Sequence, residues 1–142
     1  MAINKIKTLG ILDDAVTTSK IVDGAITSAK LAAGAGGIAW QSVQTTGFTA
    51  VSGYAYPCNT TSAAFTVTLP SSATVGDAIG IVDYAGTFNT NKITLTSSLN
   101  IEGATDDKTL TTNREGVTIT YVDATQGWVA TSGVNSGDQA LD

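Results

Sequence analysis

Between Ile11 and Leu31 the large apolar side chains return every five residues, at Ile11 and Leu12, Val16, Ile21 and Val22, Ile26, and Leu31. A helix repeats its buried face every 3.6 residues and a strand every two, so this spacing fits neither. The stretch is also a sequence repeat. ILDDAVTTSK (Ile11 to Lys20) lies over IVDGAITSAK (Ile21 to Lys30), and Leu31 opens a third copy that stops. The pattern predicts short extended pieces alternating with single helical turns. Thr17 and Thr27 are placed to cap such turns, and Lys20 and Lys30 stand near their C-terminal ends, where a cation is favoured. Gly24 and Gly34 supply corners.

One thread of this kind cannot bury its own apolar row. Water disfavours exposed apolar surface by roughly 25 cal/mol per Å². Ile11, Leu12, Val16, Ile21, Val22, Ile26 and Leu31 are therefore expected to meet identical threads or another protein. The basic and apolar tip MAINKIKTLG reads as an attachment peptide, and the unpatterned small residues of AAGAGGIAW (Ala32 to Trp40) read as a hinge.

Beyond the hinge the period changes to two. Phe65, Val67 and Leu69 alternate with Ala64, Thr66 and Thr68. Ile79 and Ile81 alternate with Ala78, Gly80 and Val82; Ile93 and Leu95 with Lys92, Thr94 and Thr96; Val117, Ile119 and Tyr121 with Thr118, Thr120 and Val122. These are strand patterns rich in β-branched residues. Phe48 to Val51, Gly53 to Cys58, Leu99 to Ile101, Thr109 to Thr112 and Gly127 to Thr131 are weaker strand candidates, with turn chemistry between them. No window after residue 37 carries a helical stripe. The expected fold is all-β: a small antiparallel β-sandwich or barrel-like knob over residues 37–133. An extended, non-globular stalk and anchor over residues 1–36 precedes it, and a tail over residues 134–142 follows. The outward faces are expected to be threonine-rich. Trp128 is expected in the core, Cys58 as a small buried hydrophobe, and Trp40 where stalk, body and neighbouring subunit meet.

Charge narrows the function. Of 142 residues 13% are charged, with a net charge of −5. Residues 1–36 hold four Lys against three Asp, while residues 37–142 hold three basic against nine acidic groups. An acidic body repels phosphate backbones, so nucleic acid is not an expected partner. There is no histidine, which removes the commonest general base and metal ligand. Cys58 is the sole cysteine, so no intrachain disulfide forms. The N-terminus lacks the apolar run of a signal peptide, and no stretch has the length of a membrane span. Assembly in cytoplasm, with no membrane partner, is expected. The carboxylates Asp77, Asp83, Glu102, Asp106, Asp107, Glu115 and Asp123 fall mostly in turns, and the chain has no D-x-D-x-D calcium loop. No catalytic residue, cofactor or metal is expected. Tyr54, Tyr56, Tyr84 and Phe88 are the candidates for stacking on a sugar.

DGAITSAKLA resembles units in the stalks and attachment segments of tailed-bacteriophage fibre proteins. The body is similar to a small β module of phage virion proteins, familiar from marine and cyanobacterial phages. The shared motifs are Thr68-Leu69-Pro70, Gly76-Asp77, Gly86-Thr87-Phe88, Asn91-Lys92-Ile93-Thr94 and Gly127-Trp128. The resemblance covers residues 11 to about 131. It implies a homotrimer on the virion surface, anchored through residues 1–36 to a capsid, neck or tail protein. Two repeat units imply a short stalk, which suits a head fibre or capsid decoration protein. The alternative is a tail or neck fibre module that binds a host-surface glycan.

Overall fold

The computed structural model describes residues 16–26, 31 and 37–133. Contacts divide the chain into two units, Met1–Ala32 and Ala33–Asp142. Among its described residues the second unit holds nine strands: β1 (Ala39–Trp40), β2 (Phe48–Thr49), β3 (Tyr54–Cys58), β4 (Phe65–Thr68), β5 (Ala78–Asp83), β6 (Ile93–Thr96), β7 (Lys108–Leu110), β8 (Gly116–Asp123) and β9 (Gly127–Ser132). The four strongest alternating patterns became β4, β5, β6 and β8. Leu99 to Ile101 did not become a strand; Ile101 makes only isolated bridges, to Ala104 and Trp128.

The strands form two sheets, ordered β1-β3-β5-β8-β9 and β2-β4-β6-β7. The first six strands alternate between them. Each therefore pairs with the strand two ahead, and these four pairings are parallel. Only β5 with β8, β6 with β7 and β8 with β9 are antiparallel. The expectation of an antiparallel sandwich or closed barrel is thus corrected: the sheets are mixed and open. The physical reason lies in the connections. A hairpin would return the chain beside itself, but each connection from β1 to β6 carries it across the core to the other sheet. The next return then runs in the original direction. A period-two pattern specifies which face of a strand is buried, not the direction of its neighbour.

One core fills the space between the sheets. Val67, Ile93, Leu95 and Leu110 come from the four-stranded sheet; Tyr56, Cys58, Ile79, Ile81, Val117, Ile119, Tyr121 and Trp128 come from the five-stranded sheet. Leu69, Phe88 and Ile101 enter from loops. Trp128 is fully buried, with Tyr121 edge-on at 5.7 Å between ring centroids. A Cβ on Gly127 (φ +70°) would overlap the Asn100 carbonyl oxygen, so only glycine lets this indole enter.

The two outward faces differ. On the four-stranded sheet Thr49, Thr68 and Thr96 align across β2, β4 and β6, and Thr66, Thr94 and Thr109 across β4, β6 and β7. That is the threonine face the alternation predicts. The five-stranded sheet shows small and apolar residues along β3 and β5 instead.

Candidate functional site

The repeat is the first candidate. Thr18–Lys20 forms one 3₁₀ turn, closed by the Lys20 N–H donating to Thr17 O at 2.9 Å and the Ile21 N–H to Thr18 O at 3.1 Å. Thr17 is extended, as an N-cap should be, but its hydroxyl makes no cap bond. It meets the Ser19 hydroxyl at 3.0 Å, two residues along the turn. The expected cap is therefore corrected at Thr17, where a neighbouring hydroxyl competes for the oxygen. Lys20 ends the turn, and Gly24, at φ +77°, makes the following corner. Val16, Ile21, Val22, Ile26 and Leu31 are all exposed, between 40% and 72%. Ile11, Leu12, Thr27, Lys30 and Gly34 lie outside the described residues.

A second candidate lies on the outward face of the five-stranded sheet. Ile38, Trp40, Ala55, Gly80, Val82 and Gly116 line a cleft of about 200 Å³ there. Trp40 is 66% exposed beside it. The sequence placed Trp40 at a junction but not the cleft. Its signal was the run Ala78-Ile79-Gly80-Ile81-Val82, which is uncharged at every position. A strand with one wet face alternates; a strand covered on both faces does not.

The four aromatic candidates do not converge. Tyr56 and Phe88 are buried in the core, which corrects their assignment as sugar-facing residues. Both lie on the inner side of the fold, where apolar contact outcompetes exposure. Tyr56 packs on Phe48 at 4.6 Å and its hydroxyl accepts the Val51 N–H at 2.9 Å. Tyr54 and Tyr84 are exposed. Tyr54 starts β3, whereas Tyr84 follows β5 beside Cys58 at the other end of β3, its N–H donating to Cys58 O at 3.0 Å. At ~3.3 Å per residue the two stand at opposite ends of the sheet.

Several polar side chains hold loops in place. Asp83, 3% exposed, ends β5 pointing inward. Its carboxylate accepts the N–H groups of Gly86 at 2.9 Å, Phe88 at 3.2 Å and Arg114 at 3.0 Å, and that of Thr87. Burial is the largest single influence on this carboxyl and pushes its pKa up. The four N–H donors together outweigh it and hold the pKa below the ordinary Asp value. Arg114, at φ +62°, also donates from Nη1 to Tyr84 O at 2.7 Å. The Asn91 side chain donates to Thr60 O at 2.8 Å, and the Thr60 and Thr87 hydroxyls meet at 2.8 Å. Asp77 accepts the Thr74 N–H at 2.9 Å, and the Asp123 carboxylate accepts those of Thr125 at 2.9 Å and Gln126 at 2.6 Å. These carboxylates are engaged with local backbone. Cys58 is buried, and burial first, then the Asp83 charge, pushes its thiol up to about 12. Among the described residues no three Cys, Asp or Glu side chains are grouped to hold a metal ion, and no helix is long and apolar enough to cross a membrane.

The described residues thus present an apolar row on the repeat and a neutral cleft walled in part by Trp40. No protein-family model matches the chain, and no curated protein matches it significantly.

Proposed function

We propose that this chain is a non-enzymatic structural protein of a tailed-bacteriophage virion. It is a short trimeric head fibre or capsid decoration protein, anchored to the particle by residues 1–36, with the β knob facing outward. The observation that carries this reading is the exposure of Val16, Ile21, Val22, Ile26 and Leu31 in a segment with five-residue spacing. Water disfavours such a row by roughly 25 cal/mol per Å² of apolar surface, a cost that another surface covering it would relieve. The knob meanwhile has a core of its own, so it needs no leader to fold around. The resemblance of the repeat and of the knob motifs to phage fibre and virion modules supplies the setting. The glycan-binding alternative retains Tyr54 and Tyr84, which stand apart and frame no common site.

Light scattering of the full-length protein is expected to give three times 14.4 kDa. A stable monomer would overturn the trimer. Mass-spectrometric stoichiometry of purified virions then separates the two placements. A copy number set by the capsid lattice supports head decoration, and one set by the symmetry of the tail or neck overturns it in favour of a fibre module.

A further inference from the structure

Strand direction sorts the loops of the knob to two ends. β1, β3 and β5 run together, and β8 runs against them. The chain enters at the end where those three begin: the Ala39 N–H donates to Gly53 O at 2.8 Å, and the Gly53 N–H to Ala78 O at 2.7 Å. Asp77 precedes β5 there, and Asp123 ends β8 there. Glu102 joins them, its N–H donating to Trp128 O at the start of β9. Asp106 and Asp107 lead into β7 beside the end of β6, from which the chain passes on to Asn100 and Trp128. At the far end Tyr84 follows β5, Lys92 leads into β6 and Arg114 leads into β8. Among residues 37–133 the exposed charges therefore separate. Glu102, Asp106, Asp107 and Asp123 stand at the entry end, and Lys92 and Arg114 at the far end. The far-end carboxylates are withdrawn: Asp83 is buried, and Glu115 is half-buried and accepts the Thr112 N–H at 3.2 Å. A negatively charged ligand meets less repulsion at the far end than at the entry end.

Arg114 is the sole arginine of the chain, and it is held on three sides. Its backbone sits at φ +62°, where a side chain other than glycine is uncommon, and its N–H is fixed by the Asp83 carboxylate. Its guanidinium is fixed by the bond from Nη1 to Tyr84 O. It also lies against Gly86, where an added Cβ would come within 2.8 Å of Nε. An arginine has five N–H donors in one planar fork, and this one makes no ion pair among the described residues. The aromatic ring of Tyr84, the residue it grips, is 53% exposed. The surrounding loops are tied to one another as well, the Asn89 N–H donating to Asn113 Oδ1 at 2.9 Å and the Asn91 side chain to Thr60 O. A free surface arginine loses rotamer freedom when it binds; one already held loses less.

We infer that Arg114 and Tyr84 form a binding site for an anionic sugar at the far end of the knob. The guanidinium takes the carboxylate or phosphate of the sugar through paired N–H donors, and the Tyr84 ring packs on the face of the sugar ring. The site lies within one knob and needs neither the trimer nor the leader.

The test is an NMR titration of the full chain, in which a sole arginine gives a single guanidinium Nε–H signal. Trigalacturonate, galactose 6-phosphate and neutral galactose are the probes. Saturable shifts of the Arg114 Nε–H signal and of the Tyr84 amide are expected with an anionic probe. A response to trigalacturonate assigns a uronic acid, and a response to galactose 6-phosphate alone assigns a phosphorylated sugar. A response to neither overturns the site, and an equal response to neutral galactose overturns the recognition of charge. Arg114→Gln and Tyr84→Ala are each expected to weaken binding at least tenfold. Lys108→Gln removes the same charge from β7 and is expected to leave binding unchanged. If Lys108→Gln weakens binding as much as Arg114→Gln, the effect is net charge and the site is overturned. The Gly86 and Phe88 amide signals, which report on the Asp83 carboxylate, show whether Arg114→Gln keeps its loops. Where they move, Tyr84→Ala decides, because it keeps the carbonyl that Arg114 grips. Parent-like binding by Tyr84→Ala then overturns the site.

Discussion

Asp83 shows how one side chain holds two loops. Its carboxylate gathers N–H groups from the segment after β5 and from Arg114 ahead of β8. The native pKa lies below the ordinary value of 3.8. A lowered carboxyl pKa contributes stability that is whole above the unfolded-chain pKa and is lost as the pH falls through the native one. Cys58 acts at the other end of the scale. Its native pKa, about 12, lies above the ordinary 9.0, so its contribution is whole below pH 9.0 and is lost as the pH rises toward 12. Denaturant midpoints of the parent are thus expected to fall at both extremes. Asp83→Asn keeps the shape but leaves buried N–H groups without an anionic acceptor, at a cost of roughly 2–4 kcal/mol near neutral pH. Its acid limb should be shallower than the parent's. An equal acid limb in both proteins would remove Asp83 as its source.

At the scale of the element, the repeat matters more than any turn within it. In the proposed trimer, copies of Ile26 would meet each other or press on the partner. Ile26→Asp puts like charges where water is excluded, and desolvation alone costs several kcal/mol per ion. Thr17→Ala is the contrast: its hydroxyl meets only an exposed Ser19 and caps nothing, so its loss should cost no more than about 0.5 kcal/mol. Ile26→Asp is therefore expected to lose co-purification with particles, and Thr17→Ala to keep it. Equal recovery of Ile26→Asp and the parent would mean that the five-residue row is not an assembly seam.

For the whole molecule the prediction is a division of labour. Among the described residues, every buried member of the hydrophobic core lies between Ala50 and Trp128. Removing residues 1–36 should leave a cooperative thermal transition close to the parent's, with the same far-ultraviolet signature of strands, and should abolish incorporation into virions. A truncated knob that still decorates particles would place the anchor in the knob. A truncated chain without a cooperative transition would show that the leader completes the fold.

The sequence by itself determined the nature and place of most strands, the turns between them, the burial of Trp128 and Cys58, and the exposure of the described apolar residues of the repeat. These follow from local periodicity and from the small size or ring of single residues, which act through neighbours in the chain. The tertiary structure alone decided three things. It decided that the sheets are mixed, with four of the seven strand pairings parallel, because alternation specifies a buried face and not the direction of the adjacent strand. It decided that Tyr56 and Phe88 turn inward while Tyr54 and Tyr84 stay outside at opposite ends, because that depends on where each strand lies in its sheet. It brought Trp40, Ala55, Gly80 and Gly116 to one cleft, although Trp40 and Gly116 are far apart in sequence, because registry between strands is set by the packing of the whole core and not by any segment of it.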